Sequence, residues 1–111
     1  PATKGMINKD TIAKMKKGVR IINCARGGIM VEADIKAAVE SGQIAGFACD
    51  VYAVEPPVGH PFFGVEKIIC TPHIAASTKD AQVTVARQAA EQIADFLLLG
   101  KRTHAVNGDK I

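Results

Sequence analysis

The sequence predicts an α/β fold, half of a doubly wound parallel sheet that ends in a long helix. Three short apolar runs, Val19–Arg26, Ile44–Asp50 and Lys67–His73, read as strands, each ending in a polar or charged residue. A helical pattern separates the first two, as a crossover between parallel strands requires. The run from Ile44 to Cys49 is apolar on both faces, which suits a parallel sheet covered on both sides. The resulting order, helix–strand–helix–strand–loop–strand–helix, is that of an α/β domain.

The first element is a short helix over Asn8–Gly18. Asn8 caps it, Asp10 suits its positive end, Lys16 and Lys17 suit its negative end, and Gly18 ends it in a left-handed turn. A strand rich in Val and Ile follows, and Gly27-Gly28 turns the chain directly after Arg26. The next helix spans Glu32–Ser41, with Ile35, Ala38 and Val39 on one face and Gly42 as its stop. After the second strand, Pro56, Pro57 and Pro61 make 55–64 a loop. The third strand ends at His73.

The last helix is expected over Ser77–Leu99, about 35 Å at 1.5 Å per residue. Ser77 caps it, with Asp80 three residues on in a near capping-box arrangement. Val83, Ala86, Ala90, Ile93 and Leu97 form one apolar stripe. Leu97, Leu98 and Leu99 cannot all face one core, so a further packing partner is expected there. Residues 1–100 are read as the partial sheet domain and 101–111 as a polar tail.

Bulk composition narrows the function. The 111 residues form one small domain, 48% apolar and 23% charged, which is ordinary for a globular chain. The net charge of +3 is scattered, densest at Lys14, Lys16, Lys17 and Arg20, and aromatics are only 5%. That pattern argues against nucleic-acid binding and for a solvated helix end. No run is apolar and long enough to span a bilayer, and no signal peptide is expected. Cys24, Cys49 and Cys70 each lie in an apolar strand with no C-x-x-C pair. Zinc sites bring ligands in close pairs, so no metal is expected and the cysteines read as buried free thiols of a reducing, cytoplasmic compartment. A chain opening on Pro1 is expected to be cut from something longer, or processed.

In open parallel sheets ligands bind beyond the carboxyl ends of the strands. Arg26, Asp50 and His73 should therefore converge on one cleft, with Glu55 close enough to join. A His there can take or give a proton near neutral pH; a satisfied structural histidine is the alternative. Glu55 can hydrogen-bond the imidazole and favour its charged form, or be a solvated loop carboxylate. The forked donor of Arg26 suits a substrate carboxylate, or a surface ion pair. Asp50 ends a buried strand and needs partners; a ligand amide or a nearby backbone N–H would serve equally. His60 and His104 sit in polar contexts and receive no role. No G-x-G-x-x-G occurs in the chain, and no strand-end acid sits where a ribose ligand would be expected. By physics alone this is a piece of a nucleotide-binding domain without its phosphate-binding turn.

Three blocks carry a resemblance: Asn23-Cys24-Ala25-Arg26-Gly27-Gly28, Asp50-Val51-Tyr52-Ala53-Val54-Glu55-Pro56-Pro57 and Thr71-Pro72-His73-Ile74. In order and spacing they resemble the signature blocks of the D-isomer-specific 2-hydroxyacid dehydrogenases. The resemblance runs from Pro1 to about Asn107. It implies the second half of a Rossmann-type dinucleotide-binding domain and the helix that returns to a substrate domain. Ala76–Gln82 and Ala89–Leu97 are most similar to the family's phosphoglycerate dehydrogenase branch. The resemblance implies His73 as general acid/base, Glu55 as its tuning partner and Arg26 as holder of the substrate carboxylate. It also implies Asp50 on the nicotinamide carboxamide, with Cys24, Ala25, Arg26, His73, Ile74, Ala75 and Ala76 bordering the nicotinamide end of NAD. The implied reaction is hydride transfer between NAD and a 2-hydroxy or 2-oxo acid, chiefly 3-phosphoglycerate on the route to serine. The implied parent is a homo-oligomer without nucleic-acid or membrane partners. A non-catalytic NAD-sensing scaffold of the corepressor type, or a dehydrogenase for glyoxylate or another 2-oxo acid, is the alternative. The chain alone is expected to be inactive and to bind NAD weakly. Two residues depart from the family pattern. Ala75 replaces a common Gly, and its Cβ would matter if the backbone needed a positive φ. Val31 replaces a common acid, which removes a helix cap.

Overall fold

In the computed structural model, which describes residues 2–108, the chain forms two compact units that divide between Ala75 and Ala76. Pro1 and the last three residues of the expected tail lie outside the described residues. The first unit holds α1 (Lys9–Ala13), β1 (Val19–Asn23), a 3-10 turn (Gly27–Ile29), α2 (Glu32–Glu40), β2 (Ile44–Cys49) and β3 (Ile68–Cys70). The strands form one sheet in the order β1-β2-β3, with both pairings parallel. All three carboxyl ends therefore lie along one edge.

α1 begins as expected. The Asn8 side chain accepts from the Asp10 and Thr11 amides, and Thr11 Oγ1 returns to the Asn8 amide, which completes a capping box. The helix is shorter than its pattern predicts and ends at Ala13. Gln43 Nε2 takes the carbonyls of Ile12 and Met15 at 3.1 and 3.2 Å, oxygens that a longer helix would use itself. Lys16 and Lys17 thus lie beyond the helix, and Gly18, at φ +76°, turns the chain into β1. α2 starts at Val31 without a side-chain cap, consistent with the missing acid there, and Ile35 and Val39 are its buried face.

The core lies between α1, α2 and one face of the sheet. Ile35 and Ile44 are fully buried, and Phe62 from the proline-rich loop packs edge-on against Phe47 at 5.4 Å between ring centres. Burial of such a side chain is worth about 1.5–3 kcal/mol, so Phe62 ties the loop to the sheet. Within this unit the helices cover one face only. Ile22 and Ile69 are 76% and 67% exposed, contrary to the expectation of a sheet covered on both sides. The cysteines also differ from expectation. Cys49 is buried and Cys70 half-buried, with their sulfurs 3.9 Å apart, but Cys24 is exposed and lies past the end of β1. Burial, with Cys70 alongside, pushes the Cys49 thiol up to about 12.

The second unit is built on α3 (Lys79–Leu99). Its cap is Thr78 rather than Ser77: Thr78 Oγ1 accepts from the Ala81 amide at 3.1 Å. At the far end Gly100 is left-handed and its N–H reaches the carbonyls of Asp95 and Phe96, which fits a glycine-terminated helix. No α3 residue is buried, and Leu97, Leu98 and Leu99 are all exposed. Among the described residues no helix is long and apolar enough to cross a membrane.

Gly27 and Gly28, both read as turn residues, have different jobs. A Cβ on Gly27 would lie 1.9 Å from the Tyr52 carbonyl carbon, whereas one on Gly28 would meet nothing within 4 Å. Gly27 is therefore a close-approach residue that lets the loop after β1 lie on the chain after β2. Gly27→Ala is expected to destabilise the fold by at least the ~1–3 kcal/mol of ordinary overpacking, and Gly28→Ala to stay within about 0.5 kcal/mol. Paired urea denaturation curves check both; equal midpoints would contradict the contact.

Candidate active site

Asp50 follows β2 directly and is buried, with 3% of its surface exposed. Its carboxylate collects three donors from the segment after β3. Oδ1 accepts from Thr71 Oγ1 at 2.6 Å and from the Ile74 amide at 2.8 Å, and Oδ2 accepts from the Ala75 amide at 2.8 Å. Two successive N–H groups aimed at one anion form a small nest. The bend that aims them lies at His73, whose φ is +56°. A non-glycine residue held there costs about 1–3 kcal/mol, which the clasp offsets. Left-handed backbone thus occurs at His73, and Ala75 is not among the residues with positive φ. The Ala75 departure brings no backbone conflict. The bonds from Thr71 and then Ile74 hold the Asp50 carboxyl below the usual carboxylate range, against the opposing effect of burial.

The clasp explains why β3 stops at Cys70 rather than reaching His73. Thr71 turns back through two contacts: its side chain binds Asp50, and its carbonyl accepts from the Tyr52 hydroxyl at 2.8 Å. His73 Nδ1 then lies 2.6 Å from Glu55 Oε2. The other oxygen of Glu55 accepts from the Tyr52 amide at 3.0 Å. The bond to His73, followed by that from Tyr52, holds the Glu55 carboxyl below its ordinary value. An ionised Glu55 takes the ring proton at Nδ1 as its hydrogen bond, which leaves Nε2 outside the pair. The histidine side chain is half exposed, so Nε2 is open to an incoming molecule.

On the neighbouring strand, β1 ends at Asn23, three residues short of Arg26. Asn23 is buried; its Oδ1 accepts from the Ala25 amide and its Nδ2 donates to the Arg26 carbonyl, both at 3.0 Å. Its own carbonyl accepts from the Asp50 amide at 3.0 Å, which joins the two strand ends. Arg26 is exposed, and its Nη1 donates to the Ala25 carbonyl at 2.7 Å. No carboxylate among the described residues pairs with this guanidinium.

The structure thus joins Asp50 to Ile74 and Ala75, and Glu55 to His73, by direct hydrogen bonds, and sets Cys24, Ala25 and Arg26 past the end of the adjacent strand. Ala76 opens the second unit. Sequence reasoning missed four members. Asn23 and Thr71 are polar residues beside strand ends, a signal that was available. Glu32 and His60 were not legible. Glu32, read only as the start of a helix, uses its Oε1 to accept from the Ala53 amide at 2.9 Å. His60, expected in a polar setting, has its side chain only 8% exposed and stacks against Tyr52 and Phe62.

Asp50 and Glu55 both have depressed carboxyl values, so the sign of the pH effect follows. Unfolded, they titrate at about 4. The stability they contribute is complete above that pH and is lost as pH falls through the lower folded values. Circular dichroism at decreasing pH is expected to show stability falling below about pH 4, with Asp50→Asn less stable at neutral pH but flatter across the acid range. An unchanged acid slope in Asp50→Asn would contradict the clasp.

Comparison with known proteins accords with this geometry. Residues 1–75 match the model of the D-isomer specific 2-hydroxyacid dehydrogenase NAD binding domain. D-3-phosphoglycerate dehydrogenase of Bacillus subtilis is 55% identical over 94 residues, 85% of this chain and 18% of the relative. The Homo sapiens enzyme of that name is 42% identical over 111 residues, all of this chain and 21% of the relative. The chain therefore spans about a fifth of the curated relatives it matches. A glyoxylate reductase structure from Paecilomyes thermophila superposes with a TM-score of 0.78 at 31% identity, over 90% of this chain and 30% of that one. A Xanthobacter autotrophicus 2-hydroxyacid dehydrogenase in complex with NADPH gives 0.73 at 38%, over 87% and 40%. The chain belongs to the D-isomer-specific 2-hydroxyacid dehydrogenases, and its first unit is part of their NAD-binding domain.

Proposed function

We propose that the protein carrying this chain oxidises a D-2-hydroxy acid with NAD, with 3-phosphoglycerate as the preferred substrate. The observation that carries the proposal is the His73–Glu55 pair: Nδ1 at 2.6 Å from a carboxylate, with the ring half exposed at the sheet edge. The names of the sequence relatives support the substrate. The glyoxylate reductase among the structural neighbours keeps other 2-oxo acids in the test set.

The residues fit the nicotinamide end of a dinucleotide. Asp50 Oδ2 holds a single hydrogen bond, so one lone pair remains for a carboxamide N–H. Cys24, Ala25 and the Ile74–Ala75 backbone border the same edge, and Ala76 continues that segment. When bound, the nicotinamide accepts the hydride from C2 of the hydroxy acid. His73 Nε2 takes the hydroxyl proton as the C2–H bond breaks, and the product is the 2-oxo acid. Glu55 stabilises the imidazolium that forms and fixes the ring's tautomer. Arg26 holds the substrate carboxylate with its forked donors and polarises the reacting oxygen. The 111 residues alone are held to be inactive, since no G-x-G-x-x-G lies among them to cradle the pyrophosphate. We place the enzyme in the cytoplasm as a homo-oligomer; the free Cys24, Cys49 and Cys70 suit a reducing compartment.

The test is turnover of the full-length protein with NAD and a panel of D-2-hydroxy acids. The highest kcat/KM is expected for 3-phosphoglycerate. A folded protein that binds NAD yet turns over none of them would instead be a cofactor-sensing scaffold. In that enzyme His73→Ala is expected to lower kcat by roughly 10²–10⁴-fold while leaving NAD affinity nearly unchanged. Stopped-flow kinetics with fluorescence titration of NAD separates the two. Near-normal turnover would remove His73 from the mechanism.

A further inference from the structure

We infer that Glu32 is a positioning residue for the acid–base pair: its carboxylate pins the Val51–Glu55 segment to the start of α2 and so sets where Glu55 stands. The kinetic part of this inference rests on the proposed dehydrogenase reading; the structural part does not.

Glu32 opens α2 and its side chain is only 20% exposed. One oxygen accepts from the Ala53 amide at 2.9 Å. Ala53 lies between Tyr52, whose amide donates to Glu55 Oε1, and Val54. Among the described residues, the backbone from Ala53 to Glu55 makes no other hydrogen bond out of the segment. Without Glu32 the hydrogen bonds holding this stretch would come only from the side chain of Glu55, the group that has to be placed.

The second oxygen of Glu32 meets the far side of the same loop. Oε2 lies 3.1 Å from His60 Nε2, near enough for a carboxylate to attract a ring N–H but not aligned as a hydrogen bond. His60 is itself fixed, packed edge-on to Tyr52 and Phe62 at 5.0 and 4.7 Å between ring centres. Its Nδ1 accepts from the Phe62 amide at 3.3 Å, which leaves the ring proton on Nε2, facing Glu32. One carboxylate thus bridges both limbs of the loop that carries Glu55. Glu32 touches no reacting group in this arrangement. It acts through the Ala53 amide, and a misplacement of 1 Å can cost about 10² in rate.

A negative charge in the first turn also favours the helix itself, so the test must separate reach from charge. Glu32→Gln keeps the reach and an acceptor oxygen but loses the charge. Glu32→Asp keeps the charge but withdraws the acceptor by one methylene. In the full-length protein, ¹³C-glutamate NMR follows the Glu55 carboxyl, assigned by its absence in Glu55→Gln. With Glu32→Asp the Glu55 titration is expected to move up towards the ordinary value of about 4.3, because its bond to His73 loosens. The same variant should lose roughly tenfold in kcat with NAD affinity within about twofold. Glu32→Gln, which keeps the bond from the Ala53 amide but sets an NH₂ group against the His60 ring proton, should be displaced less than Glu32→Asp in both. A Glu55 titration unmoved by Glu32→Asp would overturn the inference, and so would a Glu32→Gln variant as impaired as Glu32→Asp. If the wild type turns over no hydroxy acid, the dehydrogenase reading falls, and the Glu55 titration still decides the role of Glu32.

Discussion

Asp50 places a negative charge in the protein at the point where β2 ends, and three donors from beyond β3 converge on it. A buried carboxylate without partners would cost far more than this small domain tolerates. The chain meets the demand by folding the Thr71–Ala75 segment back over the strand end. Its left-handed bend falls on His73. The imidazole's position is thus a consequence of satisfying Asp50, and Glu55 only has to meet the ring where the clasp leaves it.

A second layer of contacts fixes the other side. The Tyr52 hydroxyl holds the Thr71 carbonyl, the Tyr52 amide holds Glu55, and the Tyr52 backbone lies where only a glycine at 27 permits it. The loop bearing Arg26 is drawn to the same place by Asn23, whose side chain binds Ala25 and Arg26 while its carbonyl joins Asp50. Parallel pairing of β1, β2 and β3 makes these three loops neighbours. Hydrogen bonds between the loops, more than the length of the strands, hold these side chains together at the edge.

Much of this was legible in the sequence. β2 was found to within one residue, with Asp50 counted into it, because its apolar run after Gly42-Gln43 has clear ends. α2 was found to within one residue because Gly42 stops it. The strands β1 and β3 were read too long because polar residues were counted into them. Asn23 and Thr71 in fact end the ladders with their side chains. α1 was read too long because its terminator, Gln43, lies about thirty residues away. For Asp50 the sequence left two kinds of partner open, and backbone amides take most of its carboxylate. The Glu32–His60 bridge was invisible, since nothing local says that a first-turn acid and a loop histidine will share a loop.

The position of the His73–Glu55 pair should depend on the Asp50 clasp. The most direct measurement is a crystal structure of the full-length protein carrying Asp50→Asn, which sets a donor NH₂ group against the converging N–H groups. The Thr71–Ala75 segment is expected to lift away, and His73 Nδ1 to leave hydrogen-bonding reach of Glu55. A segment still in place, with the pair still at the 2.6 Å of the native site, would contradict that dependence.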